Sequence, residues 1–302
     1  MIDPKKILIA DALDKDALDR MRAVPGFDVT VKTGMDEATL VQTIPGYHGV
    51  VVRSATKITK PVIDASTALA IIVRAGIGLD NVDAAAAKAK GIKVANTPSA
   101  TTISVAEYTF GLMLGAVRQL GRANVTIKQH KWEKKVLHGT ELYGKTLGLI
   151  GAGRIGLAVA ERAIAFGMTV LVYDVVPIHT TLAVKQVPFD EVLAKADVIT
   201  LHVPKTQGAL LGPAEFAKMK DGVVLVNAAR GGVVDETALL AALTSGKVKA
   251  AALDVYAKEP PEDWTLIDHP NVFAAPHIAS QAEEGQKRAG LEVVRILKEY
   301  LA

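Results

Sequence analysis

Short apolar runs alternate with helix-forming stretches along most of this chain, and the alternation occurs twice. In the first part of the chain the apolar runs are Lys6–Asp11, Phe27–Val31, Gly49–Ser54, Ala70–Gly76 and Ile92–Asn96. Continuous apolar runs of about four to eight residues are typical of buried strands. Because helical stretches separate them, the strands are predicted to form a parallel sheet that is covered on both faces.

Three helices are predicted between these strands, at Lys15–Val24, Glu37–Ile44 and Asp83–Lys90. Asp83 is placed to cap the last of them, and Gly91 follows its end. The pattern breaks at Asn96-Thr97-Pro98, after which a mostly apolar stretch from Ser104 to about Lys128 predicts one long helix. We interpret this segment as a linker between domains.

A second alternation begins at Lys145. Its apolar runs read TLGLIG, TVLVYD, VITLHVP, VVLVNAA, AAALDVY and NVFAAP, and the chain ends with a predicted helix over Gln281–Ala302. The fold class is therefore α/β, with two doubly wound parallel-sheet domains. The surface on which the last helix packs does not follow from the sequence.

Composition excludes several functions. The 302 residues contain no cysteine, so a disulfide, a thiolate metal site and a cysteine nucleophile are impossible. A net charge of +3, with its 35 Lys and Arg residues spread along the chain, makes nucleic acid an unexpected partner. No apolar run approaches the roughly 20 residues that cross a bilayer, and the N-terminus lacks a signal-peptide pattern. We expect a cytoplasmic protein without a membrane partner.

The segment Gly151-Ala152-Gly153-Arg154-Ile155-Gly156 follows an apolar run and precedes a helical stretch. In this context GxGxxG predicts a dinucleotide site. Gly151 permits a tight turn, Gly153 allows a pyrophosphate to approach, and Gly156 allows close packing of helix and strand. The helix N-terminus also favours negative charge. A glycine-rich turn without a ligand is the alternative.

Asp174 ends the next apolar run, about 18 residues after Gly156, near the spacing expected for a ribose-binding acid. A carboxylate there accepts hydrogen bonds from ribose hydroxyls and repels a 2′-phosphate, so NAD is favoured over NADP. Alternatively, Asp174 is an ordinary turn residue at the end of a strand.

Three residues near predicted strand ends form a candidate catalytic set. Arg230, in AARGGVVDE, can bind a carboxylate through two parallel hydrogen bonds. His277, in AAPHIAS, is a candidate general acid and base. Glu259, in LDVYAKEPP, would favour the imidazolium form of His277. Each residue alone could be structural, and only the combination predicts reduction of a 2-keto acid.

The remaining histidines do not predict a metal site. Turns or polar stretches contain His48, His130, His138, His179 and His269, whereas His202 lies within an apolar run and is interpreted as a core residue. Neither HExxH nor a paired-Asp pattern occurs, so no metal is expected. The absence of GxSxG after a strand argues against a serine hydrolase.

The motifs GAGRIG, VYD, NAARGGVVDE, LDVYAKEPP and PHIAS, in this order, resemble the D-isomer-specific 2-hydroxyacid dehydrogenases. VVVRSATKI, RAGIGLDNVD, NTPSATTISVAE and KWEKKVLHGTELYGKTLG resemble the phosphoglycerate dehydrogenases of that family. The resemblance implies NAD-dependent oxidation of D-3-phosphoglycerate to 3-phosphohydroxypyruvate, the reaction that begins serine biosynthesis. Reduction of glyoxylate, hydroxypyruvate or another 2-keto acid is the alternative, and a non-catalytic NAD(H)-sensing protein is a more distant one.

The resemblance also implies a domain arrangement. Residues 1–98 and 283–302 would form a flavodoxin-like substrate-binding domain, into which a Rossmann-type NAD-binding domain of residues 99–282 is inserted. The segment after Pro98 is similar to the arm through which such enzymes form homodimers. Because the sequence stops at Ala302, we expect no serine-sensing domain and little inhibition by serine.

Individual roles follow from the resemblance as well. The catalytic residues would be Arg230, Glu259 and His277. Residues implied to contact the cofactor are Gly151, Gly153, Arg154, Ile155, Gly156, Asp174, Val203, Ala228, Arg230, Asp254, His277 and Ile77. Residues implied to contact the substrate are Arg53, Ser54, Arg74, Ala75, Gly76, Arg230 and His277. Clustered arginines suit a phosphorylated acid. In two places the chain departs from the family pattern, with Thr101 where Asn is frequent and Val203 where Thr is frequent.

Overall fold

A computed structural model describes residues 3–301 of the chain, and these residues divide into two compact units. The first unit runs to Thr102 and resumes at Gln281, and the second comprises Ile103–Ser280. Each unit is an α/β structure around its own parallel sheet, so the predicted fold class is confirmed. Residues 1, 2 and 302, which the predictions assign to the first domain and to the last helix, lie outside the described residues.

The sheet of the first unit has five parallel strands. They are β1 (Lys5–Ile9), β2 (Phe27–Val31), β3 (Gly49–Val52), β4 (Ile71–Arg74) and β5 (Lys93–Asn96), in the order β2-β1-β3-β4-β5. This is the flavodoxin-like order, in which the direction of winding reverses between β1 and β3. All four residues of β3 are buried, whereas the edge strands β2 and β5 are only partly buried, contrary to the prediction of uniformly buried strands.

Helices cover both faces of this sheet. On one face lie α1 (Lys15–Arg22) and the C-terminal α11 (Glu283–Leu301), and on the other lie α2 (Glu37–Thr43), α3 (Lys60–Ala65) and α4 (Ala84–Ala89). Successive strand residues point to opposite faces, so Ile7 packs with the first set and Leu8 with the second. As predicted, Asp83 caps α4 by accepting a hydrogen bond from the Ala86 N–H. The short helix α3 was not predicted.

The position of α11 is set by its contact with α1. Buried Val293, Val294 and Leu297 belong to the same apolar cluster as Met21 of α1. A Cβ on Gly290 would lie 2.5 Å from the Cβ of Ala17, so the two helices pack more closely than a larger residue would allow.

The sheet of the second unit has seven parallel strands. They are β6 (Thr146–Ile150), β7 (Thr169–Tyr173), β8 (Val184–Gln186), β9 (Val198–Leu201), β10 (Val223–Asn227), β11 (Val248–Leu253) and β12 (Val272–Ala274), in the order β12-β11-β10-β9-β6-β7-β8. Counted from β6, this is the Rossmann order extended by one strand, with the winding reversed between β6 and β9. The short edge strand β8 was not predicted.

Helices also cover both faces of the second sheet. One face packs against α5 (Thr102–Val117) and α7 (Arg154–Ala165). The other packs against α8 (Phe189–Lys195), α9 (Pro213–Lys218) and α10 (Glu236–Thr244). The remaining helix, α6 (Leu120–Lys128), is described throughout and buries none of its residues.

The segment after Pro98 differs from its prediction. In place of one helix over Ser104–Lys128 there are two, because Gln119 takes a left-handed backbone conformation with φ of 52° and ends the regular hydrogen bonding. The interpretation as a linker is wrong for α5, whose Ala106 and Met113 are fully buried in the core of the second unit. An apolar helix without a polar face is a core helix.

No helix within residues 3–301 combines the length and the apolar composition needed to cross a membrane.

Candidate active site

The carboxyl ends of the strands in the second sheet bring most of the predicted site residues to one edge. Gly151 follows β6, Asp174 follows β7, and Arg230 comes three residues after β10. Asp254 follows β11 directly, and His277 comes three residues after β12. Ligands of open α/β sheets bind at this edge, where the winding reverses.

The glycine turn after β6 needs two of its glycines for steric reasons. Gly151 has φ of 96°, and a Cβ there would lie 2.5 Å from the carbonyl oxygen of His202. A Cβ on Gly156 would lie 2.1 Å from the carbonyl oxygen of Gly151. Any larger residue at either position would displace the backbone.

Gly153 is different, because a Cβ there would meet no described atom within 4 Å. This glycine stands at the N-cap of α7, whose 12 residues end at Ala165, and no side chain caps the first turn. The first N–H groups of a helix have no partner within it, and they carry a partial positive charge. The residues present therefore fit a pyrophosphate that approaches the main chain at Gly153.

Asp174 is tied to the same turn. Its Oδ2 accepts a hydrogen bond from the Ala152 N–H at 2.7 Å, and its Oδ1 accepts one from the Val176 N–H at 3.2 Å. An ionised carboxylate can accept about four hydrogen bonds, so the half-buried group keeps acceptor capacity for ribose hydroxyls.

Glu259 and His277 form a direct pair. The Oε2 atom of Glu259 lies 2.6 Å from Nδ1 of His277, and its Oε1 accepts a hydrogen bond from the Tyr256 N–H at 3.0 Å. The hydrogen bond to Glu259 raises the pKa of His277, although burial opposes the shift. Burial alone would raise the pKa of Glu259, but the hydrogen bonds and the charges of His277 and Arg230 outweigh it, so this pKa is lowered. The pair favours an imidazolium beside a carboxylate.

The backbone around His277 is held by two neighbouring side chains. His277 has φ of 55°, a left-handed conformation that is uncommon for a residue with a Cβ. The fully buried carboxylate of Asp254 accepts hydrogen bonds from the N–H groups of Ile278 and Ala279 at 2.9 and 2.8 Å. The Tyr256 hydroxyl donates to the carbonyl oxygen of Ala275 at 2.9 Å. These bonds fix the direction of the imidazole.

Arg230 lies in a loop that packs against the loop carrying Glu259. Its Nη1 donates to the carbonyl oxygen of Ala229 at 2.7 Å. The Asn227 side chain accepts a hydrogen bond from the Ala229 N–H and donates one to the carbonyl oxygen of Arg230. A Cβ on Gly231 would lie 1.7 Å from the carbonyl oxygen of Tyr256. The two loops are therefore in direct contact, and Arg230 is close enough to Glu259 for its charge to lower the pKa of that carboxyl.

His202 has no such role. Burial lowers its pKa to about 4, and its Nε2 lies 3.0 Å from the Thr200 hydroxyl. The ring is therefore neutral near pH 7. His202 is half-buried and directly follows β9, so the structure does not place it inside the strand as predicted. Val203 and Ala228 lie at the same sheet edge, after β9 and β10.

The predicted substrate residues lie at the carboxyl edge of the other sheet, in the first unit. Arg53 and Ser54 follow β3, and Ala75–Ile77 follow β4, which ends at Arg74. The Arg53 guanidinium donates to the side chain of Gln281 at 3.0 Å. The Arg74 side chain is only 14% exposed; it donates to the carbonyl oxygen of Arg53 and lies 3.8 Å from Asp80. The Arg74 side chain thus interacts with Arg53 and Asp80 of the same chain.

Sequence reasoning missed four residues that organise these loops, namely Asp11, Asn81, Asn227 and Tyr256. Asp11 offered a signal, since it comes two residues after β1 and Asp174 comes directly after β7, so that each carboxylate lies near the carboxyl end of a strand. Asn227 bonds within its own loop, to Ala229 and Arg230, whereas the contacts of Asn81 and Tyr256 join segments whose proximity no local pattern predicts.

Two cavities lie at the opposite edge of the second sheet. Their volumes are about 140 and 190 Å³, and the walls of both include Val224 and Lys249 near the amino ends of strands. They are separate from the strand ends that carry the candidate catalytic residues. Among the residues described, no group of three or more His, Asp or Glu side chains is placed to hold a metal ion.

Comparison with known proteins gives one family. Residues 110–279 match the model of the D-isomer specific 2-hydroxyacid dehydrogenase, NAD binding domain. The chain is 49% identical over 294 residues to D-3-phosphoglycerate dehydrogenase of Archaeoglobus fulgidus, covering 95% of this chain and 55% of that protein. It is 48% identical over 300 residues to hydroxypyruvate reductase of Thermotoga maritima, covering 97% and 98%.

A crystal structure of a protein from Thermus thermophilus superposes with a TM-score of 0.91 at 35% identity, covering 98% of this chain and 96% of that one. The chain thus spans only about half the length of the Archaeoglobus relative and nearly all of the Thermotoga and Thermus ones.

Proposed function

Because the chain belongs to the D-isomer specific 2-hydroxyacid dehydrogenases, a family with an NAD-binding domain, we propose that it interconverts a D-2-hydroxy acid and its 2-keto acid with NAD as the cofactor. The observation that carries this proposal is the 2.6 Å contact between Glu259 and His277 at the carboxyl edge of the second sheet. Together with Arg230 in the adjoining loop, the pair supplies a proton donor and a carboxylate-binding cation.

His277 is the proton donor in the reductive direction. Its raised pKa favours the protonated imidazole, which can donate a proton to the carbonyl oxygen of a 2-keto acid. Glu259 stabilises the imidazolium and orients the ring through Nδ1. In the oxidative direction the neutral imidazole accepts the hydroxyl proton. Arg230 binds the substrate carboxylate and so orients the reacting carbon.

The cofactor supplies or accepts the hydride when it is bound. Gly153 and the first N–H groups of α7, including those of Arg154 and Ile155, bind its pyrophosphate, and Asp174 binds the ribose hydroxyls. Val203, Ala228 and Asp254 line the nicotinamide end. The domain of 99–282 is the NAD-binding domain, and 1–98 with 283–302 is the substrate-binding domain.

The proposed substrate is D-3-phosphoglycerate. Support comes from the identity to the Archaeoglobus enzyme and from the basic side chain of Arg53, which lies beside Ser54 at the edge of the first sheet. Hydroxypyruvate reduction is the second candidate, because the Thermotoga hydroxypyruvate reductase is nearly as similar and matches along its whole length. The basic side chain of Arg53 suits the anionic phosphate of the first candidate's substrate. The substrate of the second candidate carries a small uncharged substituent in place of that phosphate.

A spectrophotometric screen separates these activities. NADH oxidation is measured with 3-phosphohydroxypyruvate, hydroxypyruvate and glyoxylate at matched concentrations. We expect the highest kcat/KM on 3-phosphohydroxypyruvate, and a higher value on hydroxypyruvate would assign the second function. His277→Ala should abolish turnover and retain NADH binding, because the imidazole acts on the transition state. His269→Ala, at the amino end of β12, is the matched control and should keep full activity.

Self-association is part of the proposal. The exposed apolar side chains of α6 and the segment after it support a homodimer, because a monomer would leave them in water: Leu120, Val125, Ile127, Trp132 and Tyr143. Sedimentation velocity should give a dimer at micromolar concentration, and a monomer would contradict this part. The cytoplasmic location stays a prediction of the sequence.

A further inference from the structure

The first sheet has its own reversal of winding, between β1 and β3, and a side-chain cluster lies there. Asp11 comes two residues after β1, and Arg53 follows β3 directly. We name the segment Arg53–Thr56 the anion turn. In open α/β sheets the crevice at such a reversal is where ligands bind.

Asp11 holds the anion turn from the inside. Its Oδ2 accepts hydrogen bonds from the N–H groups of Arg53 and Thr56 at 2.6 and 3.1 Å, and its Oδ1 lies 2.7 Å from the Thr56 hydroxyl. Asp11 and Thr56 are 6% and 5% exposed, so these are buried, charge-assisted hydrogen bonds. Without them, the N–H groups of Arg53 and Thr56 would lose their acceptor.

Two further side chains hold the carbonyl groups of the turn. The amide nitrogen of Asn81 donates to the carbonyl oxygens of Arg53 and Thr56 at 2.8 and 2.6 Å. Nε of Arg74 donates to the carbonyl oxygen of Arg53 at 3.1 Å. Both ends of the turn are therefore fixed by side chains from other segments.

The middle of the turn is free of such bonds. Within residues 3–301, the backbone N–H groups of Ser54 and Ala55 have no hydrogen-bond acceptor, and both residues are exposed. The Arg53 side chain lies beside them, half-buried. Two available N–H groups next to a guanidinium form a site for an anionic oxygen.

We propose that Asp11 is a positioning residue, which holds the anion turn so that the N–H groups of Ser54 and Ala55, with the Arg53 guanidinium, bind the anionic end of the substrate. In this arrangement Arg74 acts through the turn and does not contact the substrate. The inference rests on the proposed function for the identity of the ligand.

The charges are consistent with this arrangement. Burial lowers the pKa of the Arg53 guanidinium, and the nearby carboxylate of Asp11 opposes that shift. Asp11 thus supports the positive charge of Arg53, while its own oxygens are directed at the donors of the turn.

The test compares Asp11→Asn with Asp28→Asn. Both changes replace an aspartate of the first unit by its amide, but Asp28 is exposed on the edge strand β2 and does not contact the turn. Asparagine at 11 carries no charge and presents an N–H₂ group in place of one oxygen. Either the N–H groups of Arg53 and Thr56 lose their acceptor, or they keep a neutral amide oxygen whose hydrogen bonds are weaker than those of a carboxylate. Asn81→Ala removes the restraint on the carbonyl side and serves as a second variant if Asp11→Asn does not fold.

The first measurement is independent of turnover. Amide hydrogen exchange of the protein without substrate, followed by NMR, should show slow exchange for Arg53 and Thr56 and fast exchange for Ser54 and Ala55. Asp11→Asn should speed exchange of the first two, and Asp28→Asn should not. Unchanged protection in Asp11→Asn would overturn the structural half of the proposal, whatever reaction the protein catalyses.

The second measurement is steady-state kinetics with NADH and the best 2-keto acid. A misplacement of about 1 Å can cost about a hundredfold, so Asp11→Asn and Asn81→Ala should raise the KM for the keto acid by about ten- to a hundredfold. The KM for NADH and the kcat should stay within about twofold, because the catalytic pair lies on other loops. A fall in kcat with unchanged KM would overturn the positioning role. If wild type turns over no 2-keto acid, the proposed function fails while the exchange result still stands.

Discussion

Replacing Gly153 by alanine tests the cofactor site most directly, because the substitution adds one methyl group at a position that the protein leaves open. Gly153 has φ of −68° and ψ of −168°, an extended conformation that alanine adopts without strain. A Cβ there meets no described atom within 4 Å. We therefore expect the free energy of unfolding to change by less than about 1 kcal/mol.

NADH binding should respond differently. A pyrophosphate seated on the start of α7 accepts hydrogen bonds from N–H groups, and each bond to a charged group contributes about 1.5–3 kcal/mol. The added methyl group occupies the approach to these N–H groups. Loss of about 3 kcal/mol corresponds to a Kd raised by about a hundredfold.

Fluorescence titration with NADH and thermal unfolding measure the two effects separately. Gly111→Ala is the matched control, since a Cβ on this exposed glycine of α5 also meets no described atom within 4 Å. Gly156→Ala is the opposite case and should lower the melting temperature, because its Cβ would lie 2.1 Å from the carbonyl oxygen of Gly151. Wild-type NADH affinity in a stably folded Gly153→Ala would refute the placement of the pyrophosphate.

Two further predictions concern the catalytic pair and cofactor choice. The wild-type rate of keto acid reduction should be constant at low pH and fall as pH rises through the raised pKa of His277. Glu259→Gln should move this fall to lower pH, because the largest cause that raises the pKa of His277 is removed while burial still lowers it; a pH profile that does not move would show that Glu259 does not tune the acid. Asp174→Ala should lower the ratio of kcat/KM for NADH to that for NADPH by about tenfold or more, as two ribose hydrogen bonds are lost and a 2′-phosphate is no longer repelled; an unchanged ratio would remove Asp174 from the ribose site.

The catalytic pair also links stability to pH. The raised pKa of His277 gives a stabilisation that is present below its usual value of 6.5 and is lost as pH rises through the folded-state value. The lowered pKa of Glu259 gives one that is present above its usual value of 4.5 and is lost as pH falls through the folded-state value. The pair therefore stabilises the fold most between these two limits.

Much of the fold could be predicted because its signals are local. Strand residues such as those of β3 and β10 are continuous apolar runs, and the cap at Asp83 depends on a partner three residues away. The glycine turn was recognisable for the same reason, since Gly151 and Gly156 contact each other within one turn of chain. Edge strands β2 and β5 were predicted as buried because composition does not reveal a strand's place in the sheet order.

The sequence by itself determined the two wound sheets, the glycine turn and the candidate residues for the chemistry, because periodicity and residue type are properties of short segments. Only the tertiary structure decided that Asp11 supports a turn 42 residues away, that Arg74 is tied to its neighbours, and that the helix after Pro98 breaks at Gln119. These features depend on contacts between segments distant in the chain, and such contacts exist only after the strands have taken their order in the sheet.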